Sequence, residues 1–201
     1  MLDKYKLKKD ELIILIMIVF IISGTVGFIY ETIFYFINSN FKTIYMQGGN
    51  FMPWINIYAI GSLIVLFLTR KTTSIIKVFL ISAVSTGILE YISGFILLHI
   101  FKIRLWDYNK EILNFLNIDG FICLRSILIF AVLSIILVFI IIPIIVKLIK
   151  KINTKLLFKI VLTIFIIILF DEIYNSIISK IFNLYNAVDF YKSLGFKYMS
   201  F

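Results

Sequence analysis

Residues 82–126 read SAVSTGILEYISGFILLHIFKIRLWDYNKEILNFLNIDGFICLRS, and this stretch decides the fold. Its first part is an apolar run that carries Ser82, Thr86, Glu90 and Ser93 at helical spacing. Residues three, four and eight positions apart share one stripe of a helix. A polar stripe on an apolar helix must face protein rather than lipid, because hydrocarbon cannot satisfy polar groups. The stretch therefore predicts a membrane helix packed within a bundle whose interior is partly polar.

The composition of the whole chain indicates the same environment. Of its 201 residues, 62% are hydrophobic and 15% are charged, and the mean hydropathy is +1.07, well outside the range of soluble domains. We expect an all-α, polytopic transmembrane helix bundle that forms one integral membrane domain over residues 1–201. The formal net charge is +9, but Lys and Arg lie mainly between the apolar runs, so nucleic acid is not an expected partner.

Five apolar runs predict about five spanning helices, at residues 12–36, 53–69, 75–101, 124–148 and 156–182. Pro53 predicts the start of the second helix, and Pro143 predicts a kink near the end of the fourth. The aromatic tail at 183–201 is expected at the membrane interface. The distribution of Lys and Arg predicts a cytoplasmic N-terminus and an external C-terminus in the cell membrane, and the composition favours a bacterial source.

The connection between the third and fourth runs is longer than two neighbouring helices need. It contains the apolar segment ILNFL at 112–116. We expect this external loop either to re-enter the membrane or to lie over the bundle as a lid, and the alternative is an aromatic girdle without a pocket. Trp106 and Tyr108 would anchor it at the interface, and Asp107 would turn toward an acidic pocket.

Carboxylates within apolar runs identify the candidate site, because such groups are costly in a bilayer and usually functional. At a rise of about 1.5 Å per residue, Glu90 and Asp171 lie ~22 Å along their helices and Glu31 lies ~29 Å along its own, all toward the external side. Glu31 also shares a helix face with Gly24 and Gly27, small residues that permit close helix contact. The alternative role for each carboxylate is a buried ion pair that holds the bundle together.

An external acidic site formed by Glu31, Glu90 and Asp107 is the prediction that follows. The further candidates for substrate binding or ion pairing are Arg104, Trp106, Tyr108, Asn117 and Arg125, with Asp171 and Glu172 as secondary members.

Cofactor chemistry has little support in the chain. His99 and Cys123 are the single histidine and the single cysteine, so we expect no metal site and no cofactor. The sequence has no P-loop GxxxxGK[ST] and no nucleophile–base motif. An enzymatic role is therefore left open but not favoured.

Five segments together resemble a known family. They are WDYN at 106–109, NIDGFICL at 117–124, GFIYE at 27–31, LEYISG at 89–94 and NFMPWINIYAIG at 50–61. Their order and spacing resemble the putative ABC-transporter permease family of the CmpB-like type, over about residues 24–148, with the fifth helix outside it. The chain departs from the family pattern GPWxPIYGxG at Met52, Asn56 and Ala59. The resemblance implies a permease role.

Three functions remain open at this stage. The first is a transporter permease component that moves or senses a cationic or amphipathic solute, with the lipid bilayer and a nucleotide-binding ATPase subunit or other membrane protein as partners. The second is an intramembrane enzyme that acts on a lipid or lipid-linked substrate, with Glu90 or Asp107 as general acid or base. The third is a non-catalytic partner in the assembly of another membrane protein.

Overall fold

The computed structural model describes residues 2–198, and this part of the chain is mostly helical. Its α-helices are α1 Lys9–Asn38, α2 Asn56–Thr69, α3 Ile75–His99, α4 Leu124–Ile136, α5 Ile142–Lys151, α6 Thr154–Ile173, α7 Ser179–Ile181 and α8 Ala187–Ser193. Two π-helical turns, Leu137–Ile141 and Tyr174–Ile178, join α4 to α5 and α6 to α7. Two short strands, β1 Tyr45–Met46 and β2 Lys197–Tyr198, pair in parallel. The predicted all-α membrane fold is confirmed.

Three helical stretches in the described range are long and apolar enough to cross a membrane: Lys9–Asn38, Ile75–His99 and Leu124–Lys151. Helix α2 is also apolar but has 14 residues, whereas a span needs about 20. Helix α6 has 20 residues and carries Asp171 and Glu172 near its end. Each predicted apolar run thus forms a helix. Among the described residues, the stretches Lys9–Asn38, Ile75–His99 and Leu124–Lys151 have the length and composition of membrane spans.

Helix α3 shows how the sequence pattern fits a lipid environment. Its polar stripe faces inward, with Ser82, Thr86 and Glu90 all buried. Leu80 and Val84, on its other side, are mostly exposed. This arrangement reverses that of a soluble helix, since the apolar side chains face outward, as expected where the solvent is hydrocarbon.

The apolar core occupies the end of the bundle that contains the start of α1 and the end of α2. Its fully buried members include Leu15, Val19, Leu66, Val138 and Ile142. In a membrane such packing stabilises through close contact between side chains, because lipid tails are as apolar as the core itself. The opposite end of the bundle contains the buried carboxylates and the long loop.

Helices α1 and α2 approach closely because two glycines of α1 leave room for aromatic rings. A Cβ at Gly24 would overlap the Trp54 indole, and a Cβ at Gly27 would overlap the Tyr58 ring. Trp54 Nε1 also donates a hydrogen bond to the Phe20 carbonyl at 3.3 Å. The spacing of Gly24 and Gly27 predicts a helix face for close contact, and this face packs against Trp54 and Tyr58.

The second helix begins later than Pro53 predicts. Helix α2 starts at Asn56, and Ile55 before it is extended, with φ −130° and ψ 124°. The Ile55 amide donates to the Gly24 carbonyl at 3.1 Å. Packing of the 54–55 segment on α1 therefore holds these residues extended. In the fourth run, the π-helical turn Leu137–Ile141 lies just before Pro143, where a missing amide donor disturbs the regular helical ladder.

The segment after α7 packs on the rest of the protein. The Tyr191 hydroxyl donates to the Phe51 carbonyl at 2.9 Å, and the Ala187 amide donates to Asn175 Oδ1 at 2.8 Å. Strand β2 pairs with β1, which lies between α1 and α2. The tail expected over 183–201 includes residues 199–201, which lie outside the described range.

We predict that Gly27→Ala destabilises the bundle by about 1–3 kcal/mol, because the added methyl overlaps the Tyr58 ring and forces the helices apart. Gly61→Ala is the matched control: its Cβ would meet no side-chain atom closer than 3.4 Å, the Leu89 Cδ2. We expect the free energy of unfolding of that variant to be nearly unchanged. Denaturant titration of both variants in the same mixed micelles measures the difference, and equal stabilities would contradict the packing described.

Candidate functional site

A cavity of about 970 Å³ lies at the polar end of the bundle. Its walls come from the second half of α1, the segment 46–49, the start of α2, the C-terminal half of α3, the loop between α3 and α4, the start of α4, and residues between 172 and 188. Ligand pockets usually have volumes of ~300–1,000 Å³, so this cavity is large enough for a small molecule or a lipid headgroup. The charged side chains that line it are Glu31, Glu90, Lys102, Arg104, Glu111, Arg125, Glu172 and Lys180.

Two of the cavity's carboxylates each accept a short hydrogen bond from a tyrosine hydroxyl. Tyr108 donates to Glu90 Oε1 at 2.5 Å, and Tyr35 donates to Glu111 Oε1 at 2.5 Å. In both pairs the tyrosine and the glutamate lie on different segments of the chain. These bonds tie α1 and α3 to the loop, and they reduce the cost of burying the two carboxylates.

Glu31 of α1 and Tyr58 of α2 both line the cavity. The Tyr58 ring stacks on Phe130 of α4, with ring centroids 4.7 Å apart. Since the same ring packs against Gly27, Tyr58 connects α1 to α4.

Two loop residues that line the cavity, Tyr108 and Glu111, have shifted pKa values. Burial, together with the nearby Glu90 charge, raises the pKa of the Tyr108 phenol well above its usual value, so this group remains a protonated donor. Burial also raises the pKa of the Glu111 carboxyl, while the hydrogen bonds from Tyr35 and Arg125 oppose that effect. The loop thus contributes one hydroxyl donor, that of Tyr108, and one carboxyl, that of Glu111, whose charge depends on Tyr35 and Arg125.

Arg125, near the start of α4, forms an ion pair with Glu111. Only 10% of the Arg125 side chain and 1% of the Glu111 side chain are exposed. The guanidinium also lies over the Phe34 ring, 3.9 Å from its centroid, and 5.3 Å from the centroid of the Tyr108 ring. A cation held between aromatic faces and a carboxylate is fixed in position, which makes Arg125 the centre of the site.

The cavity also contains buried polar atoms that have no hydrogen-bond partner among the described residues. In the site these are Glu90 Oε2, Arg125 Nε and Arg125 Nη1. A fourth such atom, Ser82 Oγ, lies outside the cavity, toward the start of α3. Glu90 is only 3% exposed. An unpaired buried polar group costs about 1–3 kcal/mol, and more if it is charged. Such atoms are therefore strong indicators of where a ligand's polar groups would bind.

The structure differs from the sequence expectation at Asp107. Asp107 forms an ion pair with Arg104 at 3.3 Å and caps the 3-10 turn Tyr108–Lys110 by accepting from the Asn109 amide at 3.1 Å. It is not among the side chains that line the cavity. Its carboxylate is engaged within the loop, and Glu111, four residues later, lies at the cavity wall instead.

Asn117 likewise supports the loop. It donates to Asn109 Oδ1 at 2.7 Å and accepts from the Gly120 amide at 2.9 Å. Arg104 donates to the Asp119 carbonyl at 2.6 Å, and Trp106 donates to the Phe121 carbonyl at 2.9 Å. These contacts fold the loop on itself, while Arg104, Trp106 and Tyr108 still reach the cavity wall.

Asp171 and Glu172 both bind the segment that precedes α2. Asp171 accepts from the amides of Phe51 and Met52 at 3.1 and 2.7 Å. Glu172 accepts from the side-chain amide of Asn50 at 2.6 Å and lines the cavity. Adjacent helical residues point about 100° apart, and only Glu172 of this pair faces the cavity.

The structure thus brings the predicted residues Glu31, Glu90 and Arg125 to one cavity. Sequence reasoning missed Tyr35, Tyr58 and Glu111. Glu111 had one available signal: it is a lone acid directly before the apolar segment ILNFL. Within residues 2–198, no group of three or more His, Cys, Asp or Glu side chains is arranged to hold a metal ion.

A family model described as putative ABC-transporter type IV matches residues 18–176. That range includes all five motif segments. It also includes α6 and part of the π-helical turn after it, so the expectation that the fifth helix lies outside the resemblance was wrong. No curated protein and no solved structure matches the chain.

We predict strong coupling between Arg125 and Glu111. Arg125→Leu and Glu111→Leu should each destabilise the protein by about 3–5 kcal/mol, because each leaves a buried charge without its partner. The double variant should be more stable than the sum of the two effects implies, by on the order of 2 kcal/mol. Denaturant titration of the four proteins measures this coupling.

The control for that cycle is Lys180→Leu, which removes an exposed cation from the cavity rim. We expect it to change the free energy of unfolding by no more than about 0.5 kcal/mol. Strictly additive effects of the Arg125 and Glu111 substitutions would show that the ion pair does not stabilise the fold.

Proposed function

Because this chain belongs to the putative ABC-transporter type IV family, we propose that it is a permease-like membrane component whose cavity binds a cationic, amphipathic solute. The observation that carries the proposal is Glu90 Oε2, a buried carboxylate oxygen without a hydrogen-bond partner among the described residues. Its other oxygen accepts from Tyr108. A carboxylate oxygen can only accept, so the missing partner must be a donor, and an ammonium group satisfies both its charge and its hydrogen bonding.

The distribution of charge supports a cationic ligand. Both guanidinium groups that line the cavity are already paired, Arg104 with Asp107 and Arg125 with Glu111, whereas Glu31 and Glu90 form no ion pair within residues 2–198. Lys102 and Lys180 are exposed on the rim, where water and membrane headgroups screen them. The interior thus has an excess of acceptor groups, which favours a bound cation.

The remaining walls explain why the ligand should also be apolar. Phe34, Tyr58 and Phe130 line the cavity with aromatic rings, and Ile57 and Leu89 add aliphatic surface. Aromatic faces attract cations through their negative π surface and also bury apolar groups. An amphipathic ammonium compound satisfies both the acidic and the apolar walls.

The orientation in the membrane follows from the charge distribution along the chain. We propose that the N-terminus is cytoplasmic and that this polar end of the bundle is external, in a bacterial cell membrane. The connections around 70–77 and 147–159 are rich in Lys and Arg, as cytoplasmic connections usually are. The cavity would then open toward the outside of the cell.

Any ATP hydrolysis linked to this chain must come from another subunit, because the sequence contains no P-loop. We therefore expect a nucleotide-binding ATPase subunit as partner. Native mass spectrometry of the protein, gently extracted from its own membrane, should show a complex whose added mass contains such a subunit. A protein that appears repeatedly without any second polypeptide would contradict the ATP-driven form of the proposal.

The main test of the proposed ligand class is Glu90→Gln. The unaltered protein should bind octylammonium at least tenfold more tightly than octanoate, because only the ammonium can pair with Glu90. The substitution should weaken octylammonium binding by about 10–100-fold, as expected for loss of a hydrogen bond to a charged group worth ~1.5–3 kcal/mol. Isothermal titration calorimetry in neutral detergent, corrected for partition into micelles, measures both affinities.

Asp10→Asn is the matched control, since Asp10 is an exposed carboxylate in the first turn of α1, far along the helix from Glu31. This substitution should leave octylammonium binding unchanged. Equal affinities for octylammonium and octanoate in the unaltered protein would contradict the proposed ligand class.

A further inference from the structure

The unpartnered atoms of the cavity have opposite hydrogen-bonding character. Glu90 Oε2 can only accept, whereas Arg125 Nε and Nη1 can only donate. Both residues are at least nine-tenths buried. A simple ammonium would satisfy Glu90 but would leave the Arg125 donors unpaired. A ligand that satisfies both residues carries a cationic donor and an anionic acceptor in the same molecule.

Tyr108 sets the spacing between these two groups. Its hydroxyl donates to Glu90 Oε1 at 2.5 Å, while its ring centroid lies 5.3 Å from the Arg125 guanidinium carbon. The two binding points are therefore separated by about one aromatic ring. This separation requires a short spacer between the positive and negative groups of the ligand.

The apolar wall of the cavity also forms part of the outer surface of the bundle. Ile60 of α2, Ile96 of α3, and Phe101 and Leu105 beyond α3 line the cavity, yet all of them are exposed. In a membrane protein, exposed apolar side chains face the lipid. The cavity thus opens sideways, between α2 and α3, to the acyl chains near one interface.

The two binding points lie at a similar depth in the bundle. A Cβ at Gly87 of α3 would meet Ile127 of α4, and one at Gly94 would meet Phe121 just before α4. Arg125 therefore lies beside the turn of α3 that carries Glu90. A ligand whose positive and negative groups are joined by a short spacer can meet both side chains at once.

From these observations we propose that the cavity binds the headgroup of a zwitterionic aminophospholipid, such as phosphatidylethanolamine, which enters from the membrane between α2 and α3. The primary ammonium donates to Glu90 Oε2, and the phosphate accepts from Arg125 Nε and Nη1. The acyl chains remain outside, against Ile60, Ile96 and Phe101. Lys102 on the rim attracts the phosphate during entry.

This chemistry distinguishes aminophospholipids from the other common headgroups. Phosphatidylcholine has the same charges, but its quaternary ammonium has no N–H to donate to Glu90. Phosphatidylglycerol has the phosphate but no cation. The Arg125 guanidinium can bind the phosphate of each of these lipids through paired donors. Discrimination among the three lipids therefore depends on Glu90. The inference rests on the proposed function, since both require Glu90 as the cation site, but it adds the phosphate contact and the lateral entry.

The test compares three lipids on the full chain. The protein in neutral detergent is incubated with an equimolar mixture of phosphatidylethanolamine, phosphatidylcholine and phosphatidylglycerol with identical acyl chains, and native mass spectrometry measures the occupancy of each. We expect phosphatidylethanolamine to exceed each of the others at least tenfold. Glu90→Gln should abolish that preference, whereas the Asp10→Asn control should retain it.

The unaltered protein alone provides a decisive measurement, so the test does not depend on whether a variant folds. Equal occupancy by the three lipids, or a preference for phosphatidylglycerol, overturns the lipid proposal. Octylammonium binding, measured on the same preparation, separates the two proposals. If octylammonium binds but the lipids are not distinguished, only the lipid inference fails; if octylammonium also fails to bind, the proposed cation site fails with it.

Discussion

The buried ion pair between Arg125 and Glu111 is the constraint on which the polar half of this protein depends. Burying two charges costs several kcal/mol for each ion unless their geometry and hydrogen bonds are good. Here the carboxylate also accepts from Tyr35 of α1, and the guanidinium lies over Phe34 of the same helix. One interaction thereby fixes the long loop, the start of α4 and the end of α1 relative to one another. The cavity is the space that these three elements leave between themselves and α2 and α3.

The same ion pair leaves donors unused, and this surplus gives the cavity its chemical character. Arg125 has five donor hydrogens in a rigid fork, and its Nε and Nη1 have no partner in the described part of the chain. Glu90 has the complementary surplus on the acceptor side. The other end of the bundle, around Leu15 and Val138, is packed with apolar side chains. A closely packed apolar core at one end of the bundle therefore supports a polar end that contains unpaired donor and acceptor atoms.

Sequence alone predicts the parts of this structure that depend on local periodicity. The spacing of Ser82, Thr86 and Glu90 predicts the buried stripe of α3, because helical geometry alone places these residues on one side. Gly24 and Gly27 predict a close helix contact for the same reason. The partners of these residues were beyond prediction. Trp54 and Tyr58 reach the glycines only because the 54–55 segment is extended against α1.

The loop was harder to predict because its contacts are set by how it docks. Asp107 and Glu111 are both acids in an aromatic loop, and nothing in their spacing shows which one faces the bundle. The tertiary structure decides: the loop folds on itself through Arg104, which engages Asp107 and leaves Glu111 for Arg125. The predicted role of Glu31 and Glu90 as a binding site is a property of the assembled cavity, and it stays a prediction.

The contact between α6 and the segment before α2 has a consequence for how the protein is made. Asp171 binds the Phe51 amide 120 residues earlier in the chain. At about 5–20 residues per second, a ribosome needs roughly 6–24 s to synthesise that interval. By the end of this interval α1 to α4 have been synthesised, but until Asp171 follows them the amides of Phe51 and Met52 have no carboxylate to accept their hydrogen bonds. The nascent chain therefore passes through a stage in which α1 to α4 are present but the side of the cavity formed by residues 172–188 is missing.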